Sequence, residues 1–271
     1  MNKTTIQSAI VLVCALSGAA FAQTAAPKAP EPDYTLSYNV GATTDYRYRG
    51  ISQSRLQPAV FGGVDFAHKS GFYAGAWASS ITWIKDNSSA GFETKGPIEL
   101  DLYGGYKGEF NKEISYDLGL LQYAYLGNTL SNTSPGNGAT YQDANTTELY
   151  GAVTYKQYTA KYSHSVGRLF GTLGSKNSGY IDLSANFDLG NGWSVVPHIG
   201  IQRISDNAKA NYGGVSPAYT DYSVTVNKDI DGLVVSAALV STDASKVFYE
   251  NVATKQFMGK TGLVLSLKKN F

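Results

Sequence analysis

Asp45, Arg47 and Arg49 fall at every second position, with Tyr46 and Tyr48 between them. In an extended chain, side chains two apart share a face, so these three charges point the same way. Two guanidinium groups at that spacing suit the oxygens of a carboxylate or phosphate. They can equally pair with acids of their own chain, Glu99, Asp101 or Asp182. Pairing is the expected outcome, because an unpaired charge in a narrow interior is costly. Glu99, Asp101 and Tyr103 repeat the pattern against Ile98, Leu100 and Leu102. Glu148, Lys161, Asp182, Asn186, His198 and Asp221 take equivalent polar positions further along the chain.

Catalytic arrangements are poorly supported. Ser163-His164-Ser165 and His198 offer a serine and a base. Adjacent residues of a strand face opposite ways, however, so Ser163 and His164 cannot act on each other. There is no G-x-S-x-G elbow. His68, His164 and His198 lack metal-ligand spacing, so neither a metal nor a cofactor is expected. Gly259-Lys260-Thr261 has the end of a phosphate-binding loop, but Thr254 stands where its first glycine must be.

The elements that position the charged residues read as strands. From Leu36 to Tyr48, one face carries Leu36, Tyr38, Val40, Ala42, Thr44, Tyr46 and Tyr48, and the other carries Ser37, Asn39, Gly41, Thr43, Asp45 and Arg47. Eleven further strands are expected, at about Pro58–Ala67, Phe72–Thr82, Ile98–Tyr106, Ile114–Tyr125, Thr147–Tyr155, Tyr158–Val166, Tyr180–Phe187, Trp193–Arg203, Tyr219–Asn227, Leu233–Ser241 and Thr261–Phe271. No convincing amphipathic helix is found. The connections alternate between short turns and longer Ser-, Asn-, Thr- and Gly-rich stretches, with a short first outer loop, Gly50 to Gln57, as the exception. Sorting of loop length by parity, together with an even number of alternating strands, predicts an all-β fold: a transmembrane antiparallel barrel of about twelve strands with short periplasmic turns and longer extracellular loops. The charged positions then face a polar lumen, predicted to be lined by Asp45, Arg47, Arg49, Glu99, Asp101, Glu148, Lys161, Asp182 and His198. Tyr46, Tyr48, Trp83, Tyr125 and Trp193 are expected to form the aromatic girdles at the membrane interfaces.

Residues 1–22 read as a cleaved signal peptide. Lys3 is followed by an apolar stretch from Ala9 to Ala20 and by Ala20-Phe21-Ala22. Residues 23–33 read as an Ala/Pro-rich periplasmic leader, and 34–271 as the barrel. Lys3 is the one charged residue of the signal, so the 22 Lys and Arg lose one and balance the 21 Asp and Glu. That balance gives no reason to expect a nucleic-acid partner. The single cysteine, Cys14, leaves with the signal. Export without a disulfide fits the bacterial outer membrane. Leu263, Leu265, Leu267 and Phe271 share one face of the last strand, and its terminal Phe is expected to mark the chain for the barrel-assembly machinery.

Thr44 to Ser54 (TDYRYRGISQS), Gly71 to Trp77 (GFYAGAW), Glu99 to Tyr106 (ELDLYGGY) and Gly179 to Leu183 (GYIDL) resemble the TorF-family porins. That resemblance implies an outer-membrane barrel with a presumed pore, and it carries over no catalytic or ligand residues. The expected function is a passive diffusion channel for small hydrophilic solutes or ions, with outer-membrane lipids as surroundings. Acids slightly outnumber bases among the inward assignments, which leans toward a weak cation preference. Two alternatives stay open at this point: a plugged structural or adhesive barrel acting through its outer loops, and an outer-membrane hydrolase.

Overall fold

The computed structural model describes residues 32–88, 93–132 and 142–271. The signal peptide, and all of the 23–33 leader except Pro32 and Asp33, lie outside the described residues.

Alternation of apolar and polar side chains decides the architecture. Each strand has one face that must leave water and one that must not. Twelve such strands close into a single antiparallel barrel. In chain order they are β1 (Tyr34–Thr43), β2 (Ala59–His68), β3 (Phe72–Ser80), β4 (Ile98–Asn111), β5 (Ile114–Leu126), β6 (Thr146–Tyr155), β7 (Tyr158–Ser165), β8 (Gly179–Ala185, resuming at Phe187–Gly190), β9 (Trp193–Arg203), β10 (Tyr219–Ile230), β11 (Leu233–Thr242) and β12 (Gly262–Asn270). Each pairs with its neighbours in sequence. Closure comes from β1 against β12, with Asn39 opposite Asn270 and Thr43 opposite Ser266. No strand edge is therefore left unpaired, as a lipid environment requires.

Ten of the twelve observed strands match their expected spans to within a few residues. β4 runs five residues further than expected, to Asn111. The turn between β10 and β11 shrinks to Asp231-Gly232, where both residues have positive φ (50° and 79°). Asp-Gly supplies the two left-handed residues that a type I′ hairpin turn needs. β8 is interrupted at Asn186, whose N–H bonds to the Gln157 carbonyl at 2.9 Å. Two α-helical turns, Trp83–Asp86 and Asp206–Asn211, and a 3-10 turn, Leu130–Asn132, lie in the longer connections, against the expectation of no helix.

The largest correction concerns β1. It stops at Thr43, not Tyr48. Residues 44–58 leave the wall and fold inward. The first part of the reason is local. Thr43 Oγ1 bonds to the Asp45 carbonyl at 3.0 Å, and the Asp45 carboxylate draws in Ser52 at 2.5 Å and Ser54 at 3.3 Å, so the polar groups gather on themselves.

The outer surface is apolar. Val40, Val60, Leu118, Leu239, Leu263 and Leu265 are among its exposed side chains. An aromatic rim surrounds the end that carries the short turns, with Tyr34 stacked on Phe66 at 5.6 Å and Phe72 against Tyr106 at 5.1 Å. Trp193 sits in this rim with Lys228 over its ring at 5.2 Å. The other four residues expected in the girdles are inside. Tyr125 falls on the inward parity of β5, and Tyr46, Tyr48 and Trp83 pack around the same buried cluster of Ile81, Ile84, Tyr123 and Tyr125.

Adjacent residues of β12 give a direct test of facing. Leu265→Arg puts a charge into the hydrocarbon and is expected to destabilise the folded barrel by about 2–4 kcal/mol. Ser266→Arg puts it into the lumen and is expected to cost far less. Denaturant unfolding in lipid vesicles measures both.

Candidate functional site

The inward segment is a hairpin. Arg47 pairs with Ser52 and Tyr48 with Ile51, and Arg49-Gly50 form the turn. Both turn residues have positive φ, 47° for Arg49 and 77° for Gly50. The pair makes another I′ turn. Gly50 is needed there twice over, since a Cβ would lie 2.5 Å from Thr242 and 2.7 Å from Asp221. Arg49 has no such excuse. A non-glycine residue in the left-handed region costs on the order of 1–3 kcal/mol and persists only where its surroundings fix it.

Those surroundings lie on the opposite wall. The Arg49 guanidinium donates to both oxygens of Glu148 on β6, at 2.7 and 3.0 Å, and to Gln202 Oε1 on β9 at 2.7 Å. It stacks on Tyr180 of β8 at 4.2 Å and on Tyr48 at 4.7 Å. The side chains of Arg49 and Glu148 are only 6% and 2% exposed. β6 and β8 stand five strands from β1 in either direction, so the hairpin spans the lumen. A forked, charge-assisted bond of this kind is about twice as strong as a neutral one.

The root of the hairpin is fixed as firmly. Asp45 forms an ion pair with Arg47. Arg47 Nη1 also donates to the carbonyls of Gly50, Met258 and Lys260, at 2.9 to 3.1 Å. Ser52 N–H bonds to the Met258 carbonyl at 3.0 Å, and Thr82 N–H to the Gln53 carbonyl at 2.9 Å. Further out, the Asp86 carboxylate is held by Arg55, by Thr82 at 3.1 Å and by Asn251 at 2.6 Å, joining three separate connections.

The hairpin divides the interior into two chambers. The inner one, on the side of the short turns, has a volume of about 540 Å³. Its walls differ. Phe61, Trp77 and Tyr123 cover one side, and small residues such as Ser223, Thr225, Ser236, Ala238 and Ser266 cover the other. Lys161, Asp182, His198 and Asp221 line it between those walls. His198 stands between two acids, with Nε2 3.2 Å from Asp182 and Nδ1 3.6 Å from Asp221. Tyr180 donates to Asp221 at 2.9 Å, passing over Gly200, where a side chain would block it. Lys161 Nζ lies over the Tyr150 ring at 4.0 Å. The outer chamber, of about 560 Å³, is enclosed by the long connections and shares Tyr48 with the inner one.

A family model described as "Bacterial protein of unknown function (Gcw_chp)" matches residues 26–271. The chain belongs to the Gcw_chp family. The solved structures that share the fold of this Gcw_chp chain include two porins. One is the KdgM porin, with 5% identity and a TM-score of 0.50 over 87% of this chain and 97% of that one. The other is the NanC porin, with 8% identity and a TM-score of 0.51 over 88% and 99%. No curated protein matches the sequence.

Within the Gcw_chp barrel, Asp45, Arg47, Arg49, Lys161, Asp182 and His198 lie together on the inner chamber. Glu99 and Glu148 are buried at its upper side, Glu99 accepting from the Tyr46 hydroxyl. Asp101 points the same way, but its Oδ1 has no partner among the described residues. Both arginines are paired, though not with Glu99, Asp101 or Asp182: Arg47 takes Asp45 and Arg49 takes Glu148. Gln202 and Tyr180 were not foreseen as partners. Their parity with His198 and Asp182 was visible in the sequence, but nothing there brings Arg49 across to them. Ser163 is buried on the inner face, while His164 lies on the outer face beside the Tyr162 hydroxyl at 3.2 Å.

Arg49→Ala leaves Glu148 buried without its counter-ion and is expected to cost about 3–5 kcal/mol. Asp101→Asn removes a carboxylate with an unpartnered oxygen and is expected not to destabilise. Tryptophan emission during guanidinium unfolding distinguishes the two.

Proposed function

We propose that this protein is a passive outer-membrane channel for small hydrophilic solutes or ions, with the 44–58 hairpin as its constriction. The observation that carries this reading is the pair of chambers meeting at Tyr48 of the hairpin. An adhesive or purely structural barrel has no use for a lumen with a polar, small-residue passage on one wall. Larger barrels need a constriction to select, and twelve strands enclose more space than side chains alone fill. The resemblance to the TorF-family porins is most specific over Thr44–Ser54, which is the hairpin itself. The nine lumen-lining residues are assigned the role of setting the field along the passage. The signal of residues 1–22 and the outward-facing terminal Phe271 suit export and recognition by the barrel-assembly machinery.

Charge around the constriction favours cations. The Asp45–Arg47 and Glu148–Arg49 pairs cancel internally. Among the groups that line the inner chamber, Asp182 and Asp221 then outnumber the one lysine, Lys161. A passage lined by excess carboxylate raises the local concentration of cations.

The test is single-channel recording of refolded Gln23–Phe271 in a planar bilayer under a potassium chloride gradient. Stable steps with a reversal potential on the cation side are expected. The double variant Asp182→Asn, Asp221→Asn is expected to move that potential toward zero. A correctly folded, heat-modifiable barrel that never conducts overturns the channel reading.

A further inference from the structure

The outer chamber differs in chemistry from the inner one. Trp83, Tyr48 and Phe170 form one wall, and Tyr212, Tyr219, Phe248 and Tyr249 the other. The rings meet edge to face within each wall, Tyr48 on Phe170 at 5.4 Å in the first, and Tyr212 on Phe248 at 4.8 Å and Tyr219 on Tyr249 at 5.1 Å in the second. Edge-to-face packing gives each wall a defined shape.

Most polar groups of this chamber are committed to the protein, and the buried Trp83 indole N–H has no partner among the described residues. The two acids that line it are Asp86 and Glu250. Asp86 is taken by Arg55, Thr82 and Asn251, and Glu250 stands 3.9 Å from Lys255. Asn87 donates to the Trp83 carbonyl at 2.9 Å, and Gln53 to the Ile51 carbonyl at 3.0 Å. Gln202 serves Arg49 and the Gly179 carbonyl. The Tyr249 hydroxyl donates to the Pro217 carbonyl at 2.6 Å. Among the described residues, an anion would find no cation in the lining, and a sugar, which needs several partners, would find one free buried donor, the Trp83 indole N–H. What the walls offer is ring surface. At about 560 Å³, the chamber falls within the roughly 300–1,000 Å³ of small-molecule sites.

We infer that the outer chamber is a binding site for an uncharged small molecule carrying an aromatic ring, held between the Trp83 and Phe248 walls above the hairpin. This deepens the channel reading by naming the class of solute that collects at its mouth, and it rests on that reading only for the solute's onward passage.

The chain carries its own reporter. Its 3 tryptophans are Trp77 in the inner chamber, Trp193 in the rim and Trp83 in the outer chamber. In the variant Trp77→Phe, Trp193→Phe, emission comes from Trp83 alone. Titration with 4-nitrobenzyl alcohol, an uncharged quencher, is expected to give saturable quenching. The anion 4-nitrobenzoate is expected to bind at least tenfold more weakly. Phe248→Ala, a change in an outer connection that leaves the strands intact, is expected to weaken the alcohol at least fivefold. If the tryptophan variant does not fold, competition of the alcohol against a fluorescent analogue on the wild-type chain, with and without Phe248→Ala, gives the same comparison. Linear quenching unaffected by Phe248→Ala, equal affinity for the anion, or protection by maltose each overturns the proposal. Binding is read without current, so saturable quenching in a barrel that never conducts sinks the channel and leaves the site, and a conducting barrel with linear quenching does the reverse.

Discussion

A guanidinium carried on a turn from one wall of the barrel meets a carboxylate on the other, and the interior is organised around that contact. Arg49 and Glu148 are both nearly sealed from solvent. Neither is tolerable alone, because a buried charge without its partner costs several kcal/mol. Their pairing compensates for the left-handed backbone at Arg49, holds the hairpin across the lumen and so fixes where one chamber ends and the other begins. Tyr180 and Gln202 complete the cradle, stacking on the guanidinium and accepting its remaining donor.

The barrel wall makes this possible by being indifferent to what it encloses. Its backbone bonds are satisfied strand to strand, and its outer face is settled by lipid. The inward face is therefore free to hold acids, bases and rings in any proportion that solvates them. Here the proportion is uneven. Phe61 and Trp77 stand with Tyr46 on one side, while serines, threonines and alanines cover β10 to β12. An uneven lining sets the inner chamber off-centre, against the small-residue wall and beside Asp182, His198 and Asp221.

The two chambers divide the chemistry between them. Below the hairpin, ionisable groups face open space. Above it, carboxylates and amides are engaged by the connections they hold together, and aromatic rings face the space instead. One short segment thus separates a surface suited to ions from a surface suited to uncharged rings.

Twelve strands, the parity of their faces and the inward direction of Glu99, Asp101, Glu148, Lys161, Asp182 and His198 were legible in the sequence, because strand alternation is a local property and each residue's face follows from its neighbour's. The fate of Thr44 to Pro58 was not. Tyr46 and Tyr48 continue the period of β1 without a break, and period alone extends the strand to Tyr48 and assigns both rings to the membrane interface. Arg49-Gly50 is a weak turn signal beside the alternation it interrupts. What turned the chain inward was the Asp45 carboxylate gathering Arg47, Ser52 and Ser54, and then Glu148, Gln202 and Tyr180, about a hundred residues or more away, receiving Arg49. Sequence by itself determined the wall, since lipid on one side and water on the other act on each strand separately. Tertiary structure decided the constriction, since a contact across a closed barrel exists only once the barrel has closed.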